Sequence, residues 1–447
     1  MNMQNEIRQF VYIFLGFFVL YFSLFLLVYK TGLNKQTFQS EDFISTTTLP
    51  FSLIKQQDFD LNEYYETLVI NYPHPDSLFI TPYYLKQVGS KFYSFFPTMT
   101  SILILPLYVL PALTSNYDQS IEALGIMSRL GGAYLTALSV AIMWFVIKKG
   151  VNDKKKAILL LVIYALGTNS LSTSSQGLWQ HSSSQLLNAS GLLMIVSNLF
   201  GPAGFLFGLS TIARPTNLLS LVFFGLYIIF TTKSLKKTLI YGVAAALPII
   251  WEVGLDTYLF GSIFNTGYGD HNRWTANIVE GFLGIWFSPS KGILFTSPVL
   301  IFVFYTFYKV AKNFKNDKLL TTVSLIVILH TIILGKWYNW FGGYSWGTRM
   351  ASDVLPYIVF ALIPFINSEL FGKKSVRYAF YIATGYSILY HLAGLVFFDG
   401  VWHTIYDGKD RYWLWSIQNS ELVFSAKRAL FQLGLIENPV PHTLQAP

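Results

Sequence analysis

The longest polar interval of this chain, residues 30 to 100, carries an acidic pair, Glu41 and Asp42, shortly after the first apolar run. A carboxylate about a dozen residues past the end of a membrane helix sits close above the bilayer surface, which makes Asp42 the leading catalytic candidate. The competing reading is an ordinary loop carboxylate, or a helix cap before Ser45 and Thr46. Four other segments concentrate chemically active or aromatic side chains: LWQHSSSQ at 178–185, ARPTN at 213–217, the interval 259–294, and KWYNWFGGYSWGTRMASDVLP at 336–356. They hold the cations Arg214, Arg273, Lys291 and Arg349, the imidazole of His181, and Trp337, Trp340 and Trp346. Asp353 follows Arg349 by about one helical turn, so an internal ion pair competes with a ligand role for that arginine.

Metal chemistry has weaker support. Asp58-Phe59-Asp60 mimics a two-aspartate metal motif, but FDLNEYYETL reads as the capped start of an amphipathic helix. Asp270-His271 lacks metal-ligand spacing. No metal site is assigned and no cofactor is required, with a divalent cation kept as a minor alternative. The glycines of FGGYSWG and FNTGYG mark tight turns, because no strand-to-helix context makes them phosphate loops.

The elements that must position these residues are membrane helices. Hydrophobic residues make up 53% of the 447 positions and charged ones 12%, half the charged content of an ordinary soluble domain. The net charge of +8 sits in short loops with no basic run longer than three, which is topogenic charge and argues against a nucleic-acid partner. With 0 Cys, disulfides, thiol catalysis and thiolate metal sites are excluded. The first apolar run, Phe10 to Tyr29, is long enough to span, and no Ala precedes Ala112, so it reads as an uncleaved anchor.

Further apolar runs cover 121–147, 157–171, 186–199, 203–213, 218–230, 239–255, 293–308, 319–334, 354–366 and 376–397. Residues 101–113, short and with two prolines, read as a non-crossing helix. That choice places KKGVNDKKK, TTKSLKK, YKVAKNFKNDK and GKKSVR on one side, gathering fifteen of the 31 Lys and Arg in four inner loops. Lys30 and Lys35 run against the bias locally. The expectation is an all-α polytopic membrane protein with about eleven transmembrane helices, or twelve if 101–113 crosses. Its amino terminus is cytoplasmic, its first loop (30–100) is long and exoplasmic, and residues 398–447 form an exoplasmic tail with an amphipathic helix at Glu421–Leu433. The same topology puts ten of the 11 Trp, Trp144 excepted, at or beyond the outer surface. Arg129, Glu252, Asp256, His330, Asp353 and His391 fall in outer halves of helices, where ionisable groups face protein or a wet cavity, so the working site opens outward.

The order of one helix, a long outer loop with an early acidic residue, a short non-crossing helix and a bundle with arginine-bearing outer loops resembles the membrane glycosyltransferases of the GT-C type. That group contains protein O-mannosyltransferases and the aminoarabinose transferase of lipid A. More closely, YSFFPTMTSILILPLY, LWQHSSSQLL, ARPTNLL, FSPSKGIL and WFGGYSWGTRMASDVLP resemble blocks of uncharacterised bacterial members. The resemblance implies residues 1–397 as the catalytic domain, a polyprenyl-phosphate sugar as donor, a glycan, lipid or protein as acceptor, and inversion at the anomeric carbon. It also implies a plasma-membrane location with an exoplasmic active site.

Asp42 matches the position of the family's first-loop catalytic aspartate, and Arg349 with Leu355 and Pro356 resembles the Arg-Tyr…Leu-Pro block beside the donor phosphate. Arg214-Pro215 resembles a Lys-Gly-Pro element; the family's Lys/His-Pro-Pro-Leu element is absent, SFFPTMTS standing there, with Lys86 or Lys91 as its replacement. Departure of a lipid phosphate demands no general acid, only a carboxylate to take the acceptor's proton and cations to hold the phosphate. Asp42 is the base; Arg349, Arg273, Lys291, Arg214 and Lys91 are the phosphate candidates, arginine being favoured for its fork of donors. His181, Trp340, Tyr93 and Glu41 are the substrate-contact candidates. The rival functions are a transporter or lipid flippase, which favours paired halves with polar groups at the midplane, and an outer-face glycan ligase or polymerase, which shares the leaving-group chemistry.

Overall fold

A computed structural model of the chain describes residues 3–34, 36–70, 81–263, 273–406 and 411–440. Asp270 and His271, along with Lys35, lie outside the described residues. The protein is an all-α membrane protein: among the described residues the sole sheet is a two-stranded hairpin, and seven helices are long and apolar enough to cross a bilayer. These are Met3–Lys30, Ile121–Gly150, Pro215–Thr232, Leu235–Phe260, Lys318–Gly335, Arg349–Ile366 and Lys374–Phe397. An eighth span arises if Lys154–Leu166 and Asn169–Gln176, bent by 40° at a short break, are counted together.

Each of the eight has a counterpart among the expected runs. The other three expected spans fall on shorter or broken helices, of 17 residues or fewer. The run 186–199 overlaps the 17-residue helix Gln180–Val196, which stops just before Asn198 takes a positive φ of 60°. The run 203–213 lies in the 14-residue helix Phe200–Ala213. The run 293–308 is divided into Ile293–Thr296, a 3-10 turn at Pro298–Phe302 and Val303–Lys312, since Pro298 has no N–H to continue the first helix. Residues 101–113 form the expected short helix, Met99–Thr114, with Pro106 and Pro111 inside it. The amphipathic helix of the tail is present as Glu421–Gln432.

Two compact units divide the chain. The first holds Met1–Phe22, Ser40–Val146 and Ser174–Asn272; the second holds Ser23–Gln39, Ile147–Thr173 and Arg273–Pro447, so the tail belongs to the second unit. In the first unit the Phe200–Ala213 helix packs on Gln180–Val196 and on Leu235–Phe260. Gly204 and Gly208, four residues apart, let its backbone approach the carbonyls of Tyr241 and Ala245, where an added Cβ would collide. Close backbone approach through small residues is how membrane helices gain contact without a hydrophobic driving force. In the second unit Gly281 and Gly335 bring Ile278–Phe287 against Lys318–Gly335 in the same way. The loop KKGVNDKKK turns at Asp153, whose carboxylate caps Lys154–Leu166 by accepting the N–H groups of Lys155 and Lys156 at 2.8 and 3.2 Å. Those two N–H groups hold the Asp153 carboxyl below its ordinary range.

In the first polar interval FDLNEYYETL is helical from 62 to 70, as expected, and the Asn62 N–H donates to Asp60 Oδ1 at 3.4 Å at its start. Its geometry is irregular: a 3-10 turn, Asn62–Tyr64, then a π-helical turn, Glu66–Ile70. Tertiary hydrogen bonds hold its start: the Leu61 N–H donates to Phe92 O at 2.8 Å, and the Asn62 side chain takes the Phe92 N–H and donates to Ser90 O. Their partner is the hairpin Leu85–Val88 and Lys91–Ser94, in which Val88 faces Lys91 across a two-residue turn with Gly89 at φ 60°.

Candidate functional site

Asp42 lies in a 3-10 turn, Glu41–Phe43, initiated by Ser40, whose Oγ accepts the Asp42 N–H at 3.3 Å. Phe43 anchors the turn: it is fully buried, with its ring 4.9 Å from that of Trp179 and against Gly177. The Asp42 carboxylate is half-buried and accepts a hydrogen bond from the Tyr83 hydroxyl at 2.7 Å. The following helix, Ile44–Lys55, has Phe43 at its cap position and no side-chain cap, so the capping role open to Asp42 is not taken. Glu41 shares the turn and is half-buried as well.

Beneath this turn runs a buried polar seam. Gln180 donates to Thr46 Oγ1 at 3.3 Å, Ser101 donates to Thr46 O at 2.8 Å, and the Thr100 and Ser183 hydroxyls meet at 2.6 Å. Arg129 reaches Gln176 Oε1 at 3.0 Å. His181 is 2% exposed, with its ring 6.4 Å from that of Trp179, and is thus an interior group rather than a surface one.

Lys91 and Tyr93 stand on the hairpin. Lys91 is paired with Asp60 at 2.6 Å, and that hydrogen bond raises its pKa. Burial raises the pKa of the Tyr93 phenol, whose ring lies 5.8 Å from Phe260. Asp58, Asp60 and Glu63 bring carboxylate oxygens within 4.8 Å of one another and are the residues that could hold a metal ion. Ser52 donates to Asp58 Oδ1 at 2.9 Å, and burial pushes the Glu63 carboxyl up. Lys91 already supplies Asp60 with a positive partner, so the geometry does not demand a metal.

A cavity of about 210 Å³ opens beside the hairpin, lined by Ser94–Thr98, by Thr211, Ile212 and Pro215, and by one face of the Leu235–Phe260 helix. Glu252 and Asp256, one turn apart on that face, are its charged lining groups among the described residues. Thr98 donates to Glu252 Oε2 at 3.3 Å, and Lys86 Nζ lies 4.5 Å from the Phe260 ring centroid. Arg214 precedes Pro215 at the end of the Phe200–Ala213 helix, half-buried, its N–H bonded to Ser210 O at 3.0 Å.

The remaining candidates belong to the second unit. Arg349 opens a 3-10 segment, Arg349–Val354, is half-buried, and packs over Gly342, which is at φ 90°. The loop before it is held from several sides. Asn169 Nδ2 and Thr173 Oγ1 donate to Trp346 O at 3.0 and 3.2 Å, Trp346 Nε1 donates to Tyr390 O at 3.1 Å, and the Gly347 N–H donates to Glu421 Oε2 at 3.0 Å. Asp353 lies 3.7 Å from His330 Nε2, both fully buried. Arg273 is exposed and donates to the Tyr338 hydroxyl at 2.6 Å.

Three expectations change, the enclosure of the substrate-contact candidate His181 at 2% exposure being the first. Lys291 is 0% exposed; its ammonium pairs with Glu421 at 3.0 Å and donates to Ser345 O. An enclosed ammonium committed to an internal carboxylate is a structural cation, so Lys291 leaves the set of phosphate candidates. Trp340 is 1% exposed and seated on Gly284, where a Cβ would strike its ring, so it packs the interior and offers no face to a sugar. Trp346 is likewise buried, on Gly394.

Sequence reasoning missed Tyr83, Glu421 and His403 as site-shaping residues. Tyr83 and Glu421 act on partners 41 and 130 positions away, separations that no local periodicity encodes. Comparison with protein-family models, with curated proteins and with solved structures finds no match to this chain.

Proposed function

We propose that this protein is a membrane glycosyltransferase that uses a polyprenyl-phosphate sugar, with Asp42 as its general base. The single observation that carries the reading is the half-exposed Asp42 carboxylate at the head of the first polar interval, oriented by the Tyr83 hydroxyl at 2.7 Å. In the proposed step the acceptor hydroxyl oxygen attacks the anomeric carbon and its proton passes to Asp42. The bond from that carbon to the phosphate oxygen breaks, and polyprenyl phosphate leaves with the electron pair, giving inversion. The departing group is already a stable anion, so cations and not an acid are required. Arg214, Lys91, Arg349 and Arg273 are the candidate contacts to phosphate, each to be tested by its own substitution. The proposed topology has about eleven spans, or twelve with residues 101–113, a cytoplasmic amino terminus and an outward-facing site in the plasma membrane.

The test is transfer of labelled sugar from a polyprenyl-phosphate donor in membranes carrying the chain. Asp42→Asn is expected to abolish transfer while the protein stays inserted and folded; full activity in that variant overturns the role of Asp42. Arg349→Lys is expected to weaken donor affinity at least tenfold, because an ammonium cannot make a bidentate contact. A transporter is the second reading, favoured by the bent pair Lys154–Leu166 and Asn169–Gln176, whose Ser and Thr residues are buried. Sugar or lipid movement without covalent transfer would select it.

A further inference from the structure

The cavity beside the hairpin has a chemistry of its own. Ile249, Glu252, Asp256, Leu259 and Phe260 recur at spacings that put them on one side of a helix, and all five line it. Across from them stand Phe95, Phe96 and Ile212. The walls are thus aromatic and aliphatic, with two carboxyl groups and the hydroxyls of Thr98, Ser94 and Thr211 as the polar features. Such a combination of apolar walls with few placed polar groups is the general form of a small-molecule site. At about 210 Å³ the cavity is smaller than the roughly 300–1,000 Å³ of sites for drug-sized ligands, so it takes one compact headgroup. Elsewhere on the same helix, Ile250 and Tyr258 are 67% and 83% exposed on a segment apolar enough to span, which leaves a lipid-facing flank for an attached tail.

Charge decides between headgroups. Two carboxyl groups line the space and no cation does so among the described residues; Lys86, over Phe260, is outnumbered. A phosphate placed there would find no cation among the described lining residues to balance its charge, a costly arrangement in a poorly screened setting. Hydroxyl groups, by contrast, donate to carboxylates, and the apolar face of a sugar ring packs on phenyl rings. We infer that this cavity binds the phosphate-free, hydroxyl-rich headgroup of a membrane amphiphile, a glycolipid-type ligand. The binding stands independently of sugar transfer; under the transferase reading, and resting on it, the ligand is the acceptor, since the donor carries phosphate.

The experiment uses the full chain in detergent-free nanodiscs and a dodecyl glucoside with a photoactivatable group on its alkyl chain. Labelling is mapped by mass spectrometry. The expected result is label on peptides covering 94–98 and 249–260, reduced at least tenfold by the pair Glu252→Gln and Asp256→Asn. Ile212→Trp, which fills the cavity and leaves both acids in place, is expected to reduce it similarly. Unlabelled dodecyl glucoside should compete better than dodecyl phosphate, which lacks a cation to meet it, and better than dodecyltrimethylammonium, which has no O–H or N–H to donate to the two carboxyl groups. The inference is overturned if neither variant lowers labelling, if the phosphate competes as well as the glucoside, or if the ammonium competes better. Asp42→Asn should lose transfer and keep labelling, so failure of the transferase reading and failure of this site give different results.

Discussion

Lys291 and Glu421 stand 130 positions apart and meet at 3.0 Å with side chains 0% and 1% exposed. The pair is the knot of the second unit: the same carboxylate takes the Gly347 N–H at 3.0 Å and lies 3.2 Å from His403 Nε2, while Thr348 Oγ1 donates to Lys291 O. Residues 345–349 are thereby tied to the tail helix. Removing one partner of a buried pair leaves an uncompensated charge, at a typical cost of about 3–5 kcal/mol. Glu421→Gln is therefore expected to lower the thermal unfolding temperature sharply. The double variant Lys291→Met, Glu421→Leu should recover much of the loss, and a double variant no better than the single one would show that the ion pair is not the source.

The same carboxylate gives a pH dependence. Burial pushes the Glu421 carboxyl up, but the Lys291 ammonium and the His403 and Gly347 N–H contacts outweigh it and hold the pKa below 4.5. A group whose folded pKa is depressed adds stability above its unfolded value and loses it as pH falls through the folded one. Thermal stability contributed by this group should be full above pH 4.5 and decline below it. In Glu421→Gln that part of the acid-side decline should disappear.

Helix contact through glycine makes a prediction for the first unit. A Cβ on Gly204 would collide with Tyr241 O, a backbone atom that cannot swing away, whereas a Cβ on Gly242 would meet nothing within 4 Å. Gly204→Ala should destabilise by about 1–3 kcal/mol, the usual cost of overpacking. Gly242→Ala, in the facing helix, should be neutral or stabilising, because alanine favours helix over glycine. Equal effects of the two in thermal unfolding would mean that the helices do not approach through Gly204.

How far the sequence discloses this molecule depends on the range of the interaction. Phe10 to Tyr29 and 121–147 are legible as helices because apolar content over twenty residues is a local property. Asp153 is legible as a cap because its partners are two and three residues on. The FDLNEYYETL stretch is legible as helix, but its start is fixed by Phe92 and Ser90, some thirty residues away, which no local pattern encodes. Lys291 and Trp340 mislead for a related reason. A cation or indole in an outward segment reads as available to ligand, and only the tail, returning through Glu421, or Gly284 beneath the indole, reveals that each is enclosed. Glu252 and Asp256 are visible in sequence as costly groups in an apolar helix, but the cavity that gives them a use needs Ser94–Thr98 and Ile212 beside them.

Tyr83 offers a graded test of the Asp42 assignment. A single hydrogen bond contributes about 0.5–1.5 kcal/mol, so Tyr83→Phe should lower transfer by roughly two- to tenfold, far less than Asp42→Asn. If Tyr83 orients the base, the loss should appear in kcat with the donor KM little changed. An unchanged kcat would mean that the 2.7 Å contact has no part in the step.

The side of the membrane on which Asp42 lies is the most economical point of attack, because the chain has 0 Cys and each introduced thiol reports alone. Asp42→Cys in intact cells should react with a membrane-impermeant maleimide, and Lys154→Cys, in the loop that carries Asp153, should react only after the membrane is permeabilised. With residues 101–113 not crossing, the positive-inside bias of KKGVNDKKK sets this pairing: if Lys154 is cytoplasmic, the Ile121–Gly150 helix places residues 30–120 at the outer face. Labelling of position 42 only after permeabilisation would place the carboxylate in the cytosol and remove the outward-facing reaction altogether.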